Sequence, residues 1–279
     1  MPILLALSSA VVYGVADYFG GRASRLHPSV VVTFLGQVVS LVLVIVAVAV
    51  MGTSFPDGAT IGWGAAAGVA GAVGLASLYH AFANGAVTVV APLSAVVGAV
   101  LPVGAGLLQG ERPDAIAYVG IVLAVAAVAL VSGAIGERHR PTPPVIVGFA
   151  LLAGTGFGLL FVALDRTDPD SGFWPLVAAR AASVPLLFVM CLGMRARPSR
   201  QRSALALAGA AGALDMLANL LYLAASREGL LSIVAVVASL YPASTVVLAF
   251  VIDRERVNRW QSVGMAMAVG ALVLVTLGR

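Results

Sequence analysis

Three ionisable residues lie inside long apolar stretches of this 279-residue chain: Asp17, Arg180 and Asp215. An Arg or Asp at the centre of a hydrocarbon-spanning helix costs roughly 3 kcal/mol even on lenient insertion scales, so such residues face a bundle interior or a cavity. Two chemistries follow. Arg180 and Asp215 can form an internal ion pair that only holds the fold, each relieving the other's desolvation. Alternatively, Arg180 anchors an anionic group of a solute, and Asp215 takes up and releases a proton as the cavity wets and dries. Asp17 is a second proton-coupling candidate, although Arg22 and Arg25 nearby offer it an interfacial salt bridge. Polar residues at spacings of three and four continue these faces. Asp215, Asn219 and Tyr222 form one stripe; Ser9, Tyr13 and Asp17 form another; Thr33, Gln37 and Ser40 a third; and Ser77, His80 and Asn84 a fourth. Ser232, Ser239 and the Tyr241-Pro242 break extend the set, so the expected pathway comprises Tyr13, Asp17, Gln37, His80, Arg180, Asp215, Asn219, Tyr222, Ser239 and Tyr241. Pro242, Pro185 and Pro102 are candidate hinges, because proline removes a helix hydrogen bond and frees a carbonyl.

The elements that must carry these residues are membrane helices. Hydrophobic residues make up 61% of the chain and charged residues only 10%, whereas soluble chains carry about a quarter charged residues. Ten apolar runs stand out: 2–21, 29–51, 61–83, 87–108, 115–135, 145–164, 173–194, 204–225, 230–251 and 261–278. The connections between them are short and rich in Arg, Pro and Gly, and the first run lacks the basic start and cleavage site of a signal peptide. The single Cys191 excludes a disulfide framework, and no metal or other cofactor is implied. The chain has 16 basic and 12 acidic residues. The basic residues, all Arg, flank the apolar runs, which suits membrane orientation better than nucleic-acid binding.

A shift of 144 residues, the distance from Tyr13 to Phe157, aligns the two halves without a gap. Tyr13-Gly14 then falls on Phe157-Gly158, Gly85 on Gly229, Glu111-Arg112 on Glu255-Arg256, and Val119-Gly120 on Val263-Gly264. Each half holds five runs, and an odd number of crossings gives the halves opposite orientations. The expected fold is an all-α polytopic membrane protein, with ten transmembrane helices as two inverted five-helix repeats around a central cavity. The repeats span 1–135 and 145–279, with a connecting loop over 136–144. Under the same shift Asp17 meets Phe161, Arg180 meets Gly36 and Asp215 meets Gly71, so the scaffold itself does not demand the charges. The fifth and tenth runs carry no polar stripe and belong at the periphery.

The stretches "NGAVTVVAPLSAVVGAVLPVGAGLLQGERPDAIAYVGIVLAVAAVALVS" (84–132) and "REGLLSIVAVVASLYPASTVVLAFVIDRERVNRWQSVGMAMAVGALVLV" (227–275) resemble the two EamA repeats of the drug/metabolite transporter superfamily. The resemblance covers essentially the whole chain. It departs in the first half, where Gly98 stands in place of the proline that Pro242 would predict, so any kink should differ between the halves. It implies a carrier of small organic metabolites or drugs, often an exporter, in the cell membrane.

The expected function is secondary active transport by alternating access, with a small organic solute and the bilayer as partners. A monomer or a homodimer is compatible with the sequence, and the GxxxG spacings at Gly64 to Gly68 and Gly154 to Gly158 read as close helix packing rather than as a particular dimer. The rival reading is an intramembrane enzyme acting on a lipid or polyprenyl-linked substrate; no nucleophile-base or metal motif supports it. A Walker motif is also missing, so the driving energy must come from a gradient or from the solute itself. The loops after odd-numbered runs hold eleven arginines against four on the other side, which by charge puts both termini outside. The family resemblance implies both inside. Glu111 and Glu255 read as loop anchors beside Arg112 and Arg256, and Trp63, Trp174 and Trp260 as an interfacial belt.

Overall fold

The computed structural model describes residues 1–84, 87–131, 143–197, 201–252 and 259–277, and over these residues it is helical with no strands. The elements are α1 (Pro2–Ser24), α2 (Ser29–Met51), α3 (Gly58–Asn84), α4 (Val87–Leu108), α5 (Ala115–Val131), α6 (Pro144–Asp165), α7 (Trp174–Gly193), α8 (Arg202–Ser226), α9 (Leu231–Ala238), α10 (Tyr241–Ile252) and α11 (Arg259–Leu277). A short 3-10 turn, Pro169–Ser171, precedes α7. Six helices, α1, α2, α3, α6, α7 and α8, are long and apolar enough to cross a membrane; shorter apolar stretches lie in α4, α5, α9 with α10, and α11. The chain is therefore a polytopic membrane protein. The Glu255-Arg256 pair, Gly85 and most of the connecting loop lie outside the described residues.

The predicted runs and the observed helices differ chiefly at the ninth run, which divides into α9 and α10 at Ser239 and Leu240. Pro242 accounts for the division. It has no N–H to bond the carbonyl of Ala238, and its ring clashes there, yet it fits the first turn of a new helix. Around the break the backbone bonds locally, with Ser239 N–H bonding Ala235 O at 2.9 Å and Ala243 N–H bonding Leu240 O at 3.0 Å. The counterpart helix α4 has Gly98 at this register and runs unbroken. Pro102 is buried within α4 and Pro185 lies exposed within α7, and neither interrupts its helix. Of the three hinge candidates, Pro242 alone stands at a break.

The main helix pairings recur when the halves are exchanged, although α2 packs on α3 more closely than α7 packs on α8. α1 packs along α8 as α6 packs along α3; α4 lies on α6 as α9 and α10 lie on α1; and α3 meets α7 as α8 meets α2. The pairs α5 with α11, α2 with α7, and α4 with α9 are their own counterparts. Glycine sets the closest of these approaches. A Cβ at Gly212 would strike the backbone of Gly36, and one at Gly68, the repeat counterpart of Gly212, would strike the backbone of Ala179. Likewise a Cβ at Gly14 would run into Tyr241 and Ser244, and one at Gly158 into Leu101. Tyr13-Gly14 and Phe157-Gly158 therefore match because both helices need a small residue there.

At one end of the bundle the loops interlock. Asp57 accepts the Thr60 N–H at 2.9 Å, and these bonds from Thr60, hydroxyl as well as backbone, hold its exposed carboxyl below the usual carboxylate range. Trp174 donates its indole N–H to Thr53 O at 3.2 Å and packs edge-on against Phe55, while Arg166 lies over the Trp63 ring. Arg227 donates to Ser171 Oγ at 3.2 Å and to Gly172 O. The start of α1 and the segments Arg112–Asp114 and Arg227–Leu230 border one surface cleft at this end.

Candidate functional site

Between the paired helices α1/α8 and α3/α6 lies a cavity of about 30 Å³. The side chains nearly close it. Its lining includes Tyr13 and Asp17 of α1, Arg180 of α7, Asp215 and Asn219 of α8, and Ser239 and Tyr241 at the helix break. Seven of the ten expected pathway residues thus meet at one place.

Arg180 and Asp215 form an ion pair at 2.9 Å, with Arg180 only 2% exposed. The backbone carbonyl of Asp215 also accepts the side-chain amide of Asn219 at 2.8 Å. The Nε of Arg180 and the Oδ1 of Asn219 are buried without a hydrogen-bond partner among the described residues. Asp17 differs. It is 6% exposed and faces the cavity, and it makes no hydrogen bond or ion pair with a described residue. Arg22, the rival partner, donates instead to the Tyr18 hydroxyl at 3.1 Å.

The remaining three expected residues stand outside this lining. Gln37 accepts the Ser183 hydroxyl at 2.7 Å, joining α2 to α7. His80 packs on Phe149 with ring centroids 4.4 Å apart, and Tyr222 is fully buried, stacked on Phe161 at 4.1 Å. The polar stripe on α8 turns out to be divided: Asp215 and Asn219 face the cavity, whereas Tyr222 faces the aromatic packing behind it.

Sequence reasoning missed the other side of the cavity, made by Gly71, Leu75, Ser94, Ala95, Gly98, Phe157, Leu160 and Phe161. Polarity could not reveal these residues, Ser94 excepted, whose hydroxyl lies 3.1 Å from the Tyr241 hydroxyl. The repeat could have. Tyr13 and Phe157, Asp17 and Phe161, Gly71 and Asp215, Leu75 and Asn219, and Ala95 and Ser239 are counterparts under the 144-residue shift, and both members of every pair line the cavity.

Glu111 also proves more specific than a loop anchor. Its carboxylate accepts the Leu231 N–H at 2.6 Å and the Ser232 N–H at 3.0 Å, capping α9 from the opposite half of the chain. Arg112 does not pair with that carboxylate; it donates to the backbone carbonyls of Leu107 and Glu111. The cap supplies what the Leu230 side chain cannot, since the first N–H groups of a helix have no partner within it.

Comparison with known proteins agrees with this architecture. A solved structure described only as "Crystal structure of protein" superposes with a TM-score of 0.75, covering 99% of this chain and 96% of that one, at 17% identity. At that identity the likeness concerns the fold. No curated protein matches. The model of the EamA-like transporter family matches residues 1–133 and again residues 144–277. With two matches that together span nearly all of its length, this chain belongs to the EamA-like transporter family.

Proposed function

We propose that the protein is a secondary active transporter that moves a small organic metabolite or drug by alternating access through the cavity between α1/α8 and α3/α6. The observation that carries this reading is the cavity itself: ionisable side chains buried at the meeting of two sequence-related halves, where repeat-built carriers bind solute. Ten crossings arranged as two inverted repeats are part of the proposal, supported by the exchange symmetry of helix pairing and by the counterpart residues lining the cavity. Rocking of one half against the other would open the nearly closed cavity to each side in turn.

Coupling to a proton gradient rests on the buried carboxylates. Protonation of Asp215 would dissolve its pair with Arg180 and free a guanidinium in the cavity, and Asp17 is the second site where a proton can be exchanged. The direction is outward and the location the cell membrane, both drawn from the family resemblance. For orientation the arginine distribution favours both termini outside. Reconstituted into proteoliposomes with a solute found by thermal-shift screening, the wild type should show gradient-driven transport. Asp215→Asn should abolish that transport while sparing solute exchange. Unchanged gradient-driven transport in Asp215→Asn would refute its coupling role, and absence of flux for every stabilising solute would refute the carrier reading.

A further inference from the structure

The surface cleft at the interlocked end of the bundle and the central cavity meet along α9. Ile233 and Val234 border the cleft, and Ser239, just past the end of the helix, lines the cavity. From Val234 to Ser239 is only about 7.5 Å of helix. A helix of eight residues is too short to hold itself together, so its neighbours must fix it. At one end it stops at the Pro242 break. At the other its first N–H groups depend on the Glu111 carboxylate.

Glu111 is itself held in place. Gly110, at φ +96°, closes the last turn of α4, with its N–H on Leu107 O at 3.1 Å and the Glu111 N–H on Gly106 O at 3.0 Å. That pair of helix-ending bonds requires the left-handed residue between them. A Cβ at Gly106 would strike the Glu111 carboxylate, so the glycine leaves room for it to fold over the end of α4 and reach α9. Because α4 packs on α6 and α9 on α1, the bonds to Leu231 and Ser232 cross from one side of the cavity to the other. Elsewhere α4 meets α9 through apolar residues, with Ala95 and Ala99 in one cluster with Val236 and Leu240. The cleft beside the cap has a volume of about 510 Å³, so water can replace each partner when they separate. The buried pair of Arg180 and Asp215 has no such exit.

We infer that Glu111 is the latch of a gate on the cleft face. α9 is the moving wall, it turns about the break at Ser239 and Leu240, and its release from Glu111 joins the cleft to the cavity as the vestibule on that face. This gate presupposes the transport reading of the cavity and gives that reading a gating residue.

The test uses the full chain with Cys191→Ser and Ser239→Cys in sealed, oriented vesicles, and a membrane-impermeant thiol reagent added to one face at a time. Glu111→Gln keeps the size of the side chain and removes its charge, which weakens both bonds. It should raise the modification rate from the cleft face by at least about threefold, near the low end of what a lost cap is worth, and lower the rate from the opposite face as the population shifts. Asp114→Asn removes the same charge from an exposed position on the same loop and should leave the ratio of the two rates as it was. An unchanged ratio in Glu111→Gln overturns the latch. So does a rise from both faces together, which a merely stabilising cap would give, or an equal shift in Asp114→Asn, since loop charge alone would then set the ratio. Each of these results leaves the carrier reading standing when the reporter reacts from both faces with Glu111 intact. Reaction from one face alone or from neither, in every variant, removes carrier and latch together.

Discussion

The two sides of the cavity are built from counterpart helices and differ in chemistry. On one side α1, α8 and the α9–α10 break present Tyr13, Asp17, Asp215, Asn219 and Ser239; on the other, α6, α3 and α4 present Phe157, Phe161, Gly71, Leu75 and Ala95 at the matching positions. One scaffold thus carries two surfaces, because the backbone approach is set by small residues such as Gly14 and Gly158, while the side chains between them are free to diverge. The difference extends to the backbone. Pro242 divides one helix where Gly98 leaves its counterpart whole, and the shortened α9 then takes a cap from Glu111 of the opposite half. Polarity is concentrated on one side of the cavity, and the counterparts opposite are apolar.

That contrast can be broken at graded cost. The largest effect is expected for Arg180→Ala, which leaves Asp215 buried without its partner and should destabilise the protein by about 3–5 kcal/mol. Replacing both partners together with apolar residues of similar volume should recover most of the loss, as thermal melts in detergent would reveal. Failure of the double variant to recover would mean the pair is not the main source of the loss. Next, Gly98→Pro imposes the α9–α10 break on α4 and should cost about 3 kcal/mol or more, since α4 is continuous there. A variant as stable as wild type would show that the two helices tolerate the same break. Removing the cap by Glu111→Ala should cost about 0.5–2 kcal/mol, the range for lost N-caps, and speed amide exchange at Leu231 and Ser232. Unaltered exchange there would contradict the cap. The smallest effect belongs to Phe157→Tyr, which copies Tyr13 onto the apolar side and should shift stability by less than about 1 kcal/mol, because the ring borders open cavity space.

Much of this fold was legible because membrane helices announce themselves through length and apolar composition. The fourth run, 87–108, coincides with α4, and most other ends fall within a few residues. The division of the ninth run was visible only as Pro242; that this proline separates two helices, where Pro102 and Pro185 leave theirs whole, is not decided by residue type alone. At the site, charge and spacing located Asp17, Arg180 and Asp215, since a buried ionisable group in an apolar helix has few places to face. His80 and Tyr222 obeyed the same spacing rule yet turned to aromatic partners, because the faces of their rings are apolar enough to pack on Phe149 and Phe161 without lining a cavity. Phe157, Phe161 and Leu75 carried no polar signal at all and became readable only through their counterparts across the repeat.

The central claim is that the two sides of the cavity belong to halves that open it alternately. Cys191 is the chain's single cysteine, so a Cys191→Ser background allows one reporter thiol at Ser239 and, separately, at its counterpart Ala95. Both positions line the cavity and are almost fully buried, at 2% and 1% exposure. A membrane-impermeant thiol reagent should modify each reporter when added to either face of sealed, oriented vesicles, at rates far below those of a surface thiol. Modification from one face alone, or from neither, would contradict alternating access through this cavity.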